Sequence, residues 1–87
     1  ISCHYYIRFM VEDCPGVLAQ ISTVLGESNI SIRSMVQPEQ QLGGCVPIVM
    51  LTHGAKECDI QHALDEIDAL DSIKEQSLFI RMENDLA

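Results

Sequence analysis

Tyr5, Ile7, Phe9 and Val11 alternate with Tyr6, Arg8 and Met10, which is the two-residue period of a strand. From Val17 the period lengthens. Val17, Leu18, Ile21, Val24 and Leu25 fall on one face of a helix, with Gln20, Ser22 and Thr23 turned away. Gly26 to Asn29 suits the C-terminal turn that closes this helix. Ile30, Ile32, Met35 and Val36 predict a second strand, and the break in alternation near Ser34 predicts a bulge. Pro38 to Gly44 reads as a loop. A third strand runs from Val46 to Thr52, apolar on both faces, and Pro47 is expected at its start because proline cannot donate to a ladder. Ile60, Ala63, Leu64, Ile67 and Leu70 then mark a second helix, with Asp59, Asp65, Glu66 and Asp68 facing water. The stretch Ile73 to Met82 contains a last strand, with Ile73, Leu78 and Ile80 among its apolar positions.

The order β-α-β-β-α-β decides the expected architecture. Right-handed crossovers place both helices on one face of a four-stranded antiparallel sheet, an α+β arrangement of the ferredoxin-like kind. The other face carries Tyr6, Met10, Val49 and Leu51 and stays open in a monomer, as does the edge strand Ile30 to Gln37. Open edges and apolar faces are usually covered, so a dimer or a docked neighbour is expected.

Composition narrows the function classes. With 87 residues the chain is one domain, and its start at Ile1 rather than Met leads us to expect a fragment of a longer protein. A formal charge of −8 argues against nucleic acid or an anionic membrane as partner. No apolar run is long enough to span a bilayer and no signal-peptide pattern opens the chain, so a cytoplasmic location is expected. Cys3, Cys14, Cys45 and Cys58 lack metal-binding spacing and read as reduced, small apolar residues, so no metal is expected. Cys14 stands apart, since a thiol at a helix N-terminus can have a lowered pKa.

The chemistry of interest lies in Glu12-Asp13-Cys14-Pro15-Gly16-Val17-Leu18, where strand gives way to helix. The first backbone N–H groups of a helix are unpaired and attract anions. Pro15 suits the first turn, and Gly16 lets a small molecule approach the backbone. Acids before the turn suit a cation, so the segment offers opposite poles for a zwitterion. The same residues equally suit a plain capped connection. No constellation for catalysis is present, and no Gly-rich phosphate cradle.

Asp13-Cys14-Pro15-Gly16-Val17-Leu18 resembles the D-x-P-G-x-L signature of ACT domains, regulatory modules of amino-acid metabolism. Asn29-Ile30-Ser31-Ile32 resembles the N-I-x-I run that leads into their second strand, and the likeness covers about Tyr5 to Glu83. It implies a homodimer paired through the second strand and first helix, with an amino-acid effector at the interface. The resemblance assigns Asp13 to the effector's ammonium group and the amides of Gly16, Val17 and Leu18 to its carboxylate. It places Asn29, Ile30 and Ser31 along the cleft, with Gln37 a weaker candidate. Each has a structural alternative: Asp13 as helix cap, Asn29 as chain-turning residue, Ser31 as solvent-facing.

A narrower resemblance is to the C-terminal end of the homoserine dehydrogenase family. It rests on Tyr5-Tyr6-Ile7-Arg8-Phe9, Ser31-Ile32-Arg33-Ser34-Met35-Val36-Gln37, Val46-Pro47-Ile48-Val49, Thr52-His53 and Ile80-Arg81-Met82-Glu83. It implies a regulatory tail without catalytic or cofactor-binding residues of its own, joined to an upstream NAD(P)-dependent catalytic domain, with L-threonine as the expected effector. Two other readings stay open: a dimerisation scaffold that binds nothing, and an ACT sensor of another enzyme such as an aspartate kinase.

Overall fold

The computed structural model describes residues 3–12, 16–37 and 44–82. Four strands and two helices alternate as β1 (His4–Glu12), α1 (Val17–Glu27), β2 (Ile32–Val36), β3 (Cys45–Thr52), α2 (Glu57–Asp68) and β4 (Leu78–Met82). The strands form one sheet in the order β2-β3-β1-β4, and every neighbouring pair is antiparallel. The fold is the ferredoxin-like one that the element order predicts.

Alternation in β1 divides the sheet into two unlike faces. Tyr5, Ile7, Phe9 and Val11 are buried beneath the helices, and β3 adds Ile48 and Met50 from directly opposite Phe9 and Ile7. From above, α1 contributes Val17, Ile21 and Leu25, and α2 contributes Ile60, Ala63, Leu64 and Ile67. These residues form one continuous core. Each fully buried Ile or Leu contributes roughly 1.5–3 kcal/mol, so the helix layer is what fixes the sheet.

The end of α1 is locked by hydrogen bonds that the sequence suggested only in outline. Asn29 adopts a left-handed conformation at φ 65°. Its N–H donates to Gly26 O at 3.1 Å, and the N–H of Ile30 donates to Leu25 O at 2.9 Å. This is the Schellman pattern, completed by the apolar pair Leu25 and Ile30, both of which are buried. The predicted bulge is present as a register shift between Ile32 and Ser34.

Several expectations need correction. Pro47 does not open the third strand; β3 starts at Cys45, and Pro47 lies inside it opposite Met10. Met10 directs its carbonyl outward to the N–H of Lys74 at 3.0 Å, so its pair with Pro47 is not hydrogen-bonded. The Pro47 nitrogen therefore faces β2, whose described ladder ends at the Val36–Val49 pair. No ladder donor is lost. The last strand is shorter than the apolar run, because Ile73 makes only an isolated bridge with Val11 before the chain turns into β4. Asp68 is not a plain water-facing residue, since it accepts hydrogen bonds from Ser77. Most of the Pro38–Gly44 loop lies outside the described residues.

Candidate functional site

The strand-to-helix turn is built around a backbone shape. Gly16 caps α1 at φ 88° and ψ −11°, the left-handed region where a side chain is strained. A Cβ placed there would meet nothing within 4 Å, so conformation rather than crowding calls for glycine. Its carbonyl accepts the N–H of Gln20 at 3.0 Å, which leaves the amides of Val17, Leu18 and Ala19 without intrahelical partners. No acidic side chain stands in the first turn of α1. Val17 is buried and Leu18 packs against the core, so these two offer their backbones, not their side chains, to anything outside. Asp13, the residue assigned to an ammonium group, lies outside the described residues together with Cys14 and Pro15.

The other half of the candidate site is at the opposite end of α1. Asn29 serves the helix stop, and Ile30 is only 3% exposed, with its side chain in the core. Ser31 has an exposed side chain, and its carbonyl accepts the His53 N–H at 2.9 Å. Eleven residues of helix separate the two halves, about 16 Å at 1.5 Å per residue. One protomer therefore does not bring Gly16–Leu18 and Asn29–Ser31 around a single small ligand. Gln37, the weaker candidate, is exposed just past β2.

Charges around the turn are partly committed. Lys74 Nζ lies 3.4 Å from Glu12 Oε2, so the acid that precedes the turn already has a cation. Among the described residues, no cluster of three or more His, Cys, Asp or Glu is placed to hold a metal. No described helix is long and apolar enough to cross a membrane. Cys3, Cys45 and Cys58 are free thiols.

Two features escaped sequence reasoning. A hollow of about 250 Å³ lies between α2 and the start of β4, lined by Gln61, Asp65, Asp68, Gln76 and Ser77 among others. Beside it, Leu78, Ile80 and Met82 are 58%, 60% and 39% exposed, so the last strand shows its apolar residues to the open face. The Leu78-x-Ile80-x-Met82 alternation carried this signal, but alternation alone does not say which set faces the helices.

The ACT domain matches residues 5–72. The chain is 39% identical over 80 residues to a homoserine dehydrogenase of Pseudomonas aeruginosa, covering 91% of this chain and 18% of that protein. It is 40% identical over 84 residues to a homoserine dehydrogenase of Methylobacillus glycogenes, covering 95% of this chain and 20% of that protein. The chain thus spans about a fifth of the length of these relatives. Among solved structures, a homoserine dehydrogenase from Thiobacillus denitrificans superposes with a TM-score of 0.85 at 38% identity, covering 97% of this chain and 18% of that one. The regulatory subunit of an aspartate kinase from Thermus thermophilus superposes with a TM-score of 0.73 over 90% of this chain and 50% of that one; at 18% identity it shares the fold. With most of its length matched and the ferredoxin-like topology in place, the chain belongs to the ACT domain family.

Proposed function

We propose that these 87 residues are a single regulatory domain, the amino-acid-sensing and dimerising tail of a homoserine dehydrogenase. The observation that carries this reading is the match of more than nine-tenths of the chain to one short segment of homoserine dehydrogenases. The remainder of the polypeptide would then be the NAD(P)-dependent catalytic domain that interconverts aspartate semialdehyde and homoserine in a cytoplasmic enzyme. The ACT segment contributes regulation and no catalytic group.

The fold supports a sensing site shared between two chains. Gly16 lies at the Glu12 end of the sheet, while Asn29 to Ser31 lie at the Thr52 end, where Ile32 pairs with Thr52. β2 is an edge strand. Two such edges paired antiparallel about a two-fold axis set the Gly16 end of one protomer beside the Asn29–Ser31 end of its partner. The free amides after Gly16 would bind the effector's carboxylate, with Asp13 near its ammonium group. The exposed Ser31 would complete the cleft from the partner. L-Threonine is the proposed effector.

Calorimetry with L-threonine tests this reading. Binding to the folded state should release heat and raise the melting temperature with concentration. Serine and isoleucine should do less, because a pocket that pairs the hydroxyl and limits volume rejects both. An intact dimer that gives no heat and no thermal shift would leave a ligand-free dimerisation scaffold as the better reading.

A further inference from the structure

The sheet face away from the helices has a composition that identifies what covers it. In register across the strands, Arg8 lies between Val49 of β3 and Leu78 of β4, and Tyr6 lies between Leu51 and Ile80. Val36 extends the patch beyond Val49 and is 57% exposed. The face is thus apolar around one half-buried cation, in a chain whose net charge is −8. Among the described residues the ion pairs are made by His62, Lys74 and Arg81, and no carboxylate reaches Arg8. Burying this guanidinium against a purely apolar partner would leave a charge without a counter-ion, which is costly. The complement of the face is an apolar surface carrying one carboxylate.

Area decides between a second copy and a tethered partner. Four strands at about 4.8 Å spacing and five residues at about 3.3 Å project on the order of 300 Å². An interface of standard size buries about 800 Å² of accessible surface per partner, so a face of this projection used alone suits a weak pairing better than a stable free one. A partner on the same polypeptide escapes this limit, because tethering supplies an effective concentration in the millimolar range. The relatives are about five times the length of this chain, so such a partner has ample chain to come from.

We propose that the open sheet face seats another part of the same polypeptide, an apolar surface whose carboxylate pairs with Arg8. This rests on the reading that the chain is the tail of a longer enzyme, and it makes the sheet face the route by which the sensor contacts the catalytic portion. Hydroxyl-radical footprinting of the longer protein and of the 87-residue chain, which has its own continuous core, tests it. Tyr6 and Met82 should oxidise several-fold more slowly in the longer protein, while His62 on the outer side of α2 should react equally in both. Arg8→Glu in the longer protein should return Tyr6 and Met82 to the faster rate, and the melting temperature of the 87-residue variant should show that the domain itself is intact. Equal rates in both proteins would overturn the proposal, as would an Arg8→Glu variant that stays protected. Concentration-dependent protection of the 87-residue chain alone would assign the face to a second copy instead. Threonine calorimetry on the same samples separates the two readings, since heat without protection removes only this one.

Discussion

Asp68, in the last turn of α2, accepts two hydrogen bonds from Ser77: one from its backbone N–H at 3.1 Å and one from its hydroxyl. Eight residues of connection are thereby closed into a loop whose far end starts β4. Ser77 is 8% exposed, so removing its acceptor leaves a nearly buried donor unpaired. Asp68→Ala should destabilise the fold by about 1–3 kcal/mol, read as a lower urea midpoint with an unchanged slope. Asp68→Asn, which keeps an acceptor oxygen, should recover part of the loss.

Gly16 should tolerate volume but not a side chain's backbone preference. At φ 88° an alanine costs about 1 kcal/mol, although its Cβ meets nothing within 4 Å. Asparagine, which visits the left-handed region more readily, should cost less. Denaturant midpoints of the two variants check the order, and an alanine variant as stable as the original would refute the strain argument. Gly16→Asp should add a charge at the unpaired helix amides and abolish any threonine response while the domain stays folded.

Assembly through β2 is best probed at Met35. Ile32 would be a poor choice, because it packs against the core and Ile32→Lys would damage the fold as well as any interface. Met35 is 40% exposed on the edge strand. Met35→Lys should shift the dimer toward monomer in sedimentation experiments and leave the melting profile of the monomer close to the original. An original chain that stays monomeric at high concentration would remove the two-chain site.

Tyr5 sets a limit on the alkaline side. Burial, with the Glu57 carboxylate adding to it, raises the phenol above its ordinary value of 10.0. The folded chain thus holds this proton to higher pH than the unfolded chain does. The Tyr5 contribution is fully present below pH 10 and is lost as pH rises beyond it. Tyr5→Phe should therefore lose less stability than the original chain between neutral pH and pH 11, measured by urea unfolding. Parallel curves for the two proteins would contradict the shift.

Periodicity made most of the fold legible. The core face of α2 was visible as Ile60, Ala63, Leu64 and Ile67, and the bulge near Ser34 showed as a broken alternation. Pro47 was misplaced because a proline's cost depends on which side of the strand carries the ladder bond, and that is fixed by pairing, not by sequence. Leu78 and Ile80 were visible only as apolar positions of the last strand, because hydrophobicity does not distinguish a covered face from an open one. The turn at Gly16 was legible as a strand-to-helix connection, but its left-handed backbone was not. The glycine was expected for close approach of a ligand and the helix from Pro15, whereas α1 starts at Val17. The separation of that turn from Ser31 by the whole of α1 was not read from the residues, because it depends on the length of the helix between them.

The length of α1 carries a genetic consequence. If each cleft draws its amides from one protomer and Ser31 from the other, the two-fold pair holds two clefts of mixed parentage. A chain spoiled at Gly16 and a chain spoiled at Ser31 would each form a dimer blind to threonine. Co-expressed, they would form mixed dimers in which both lesions fall in the same cleft and the other cleft is whole. Two silent alleles would then restore half-strength feedback to one another, and the same two changes placed in a single chain and paired with a normal one would leave no intact cleft.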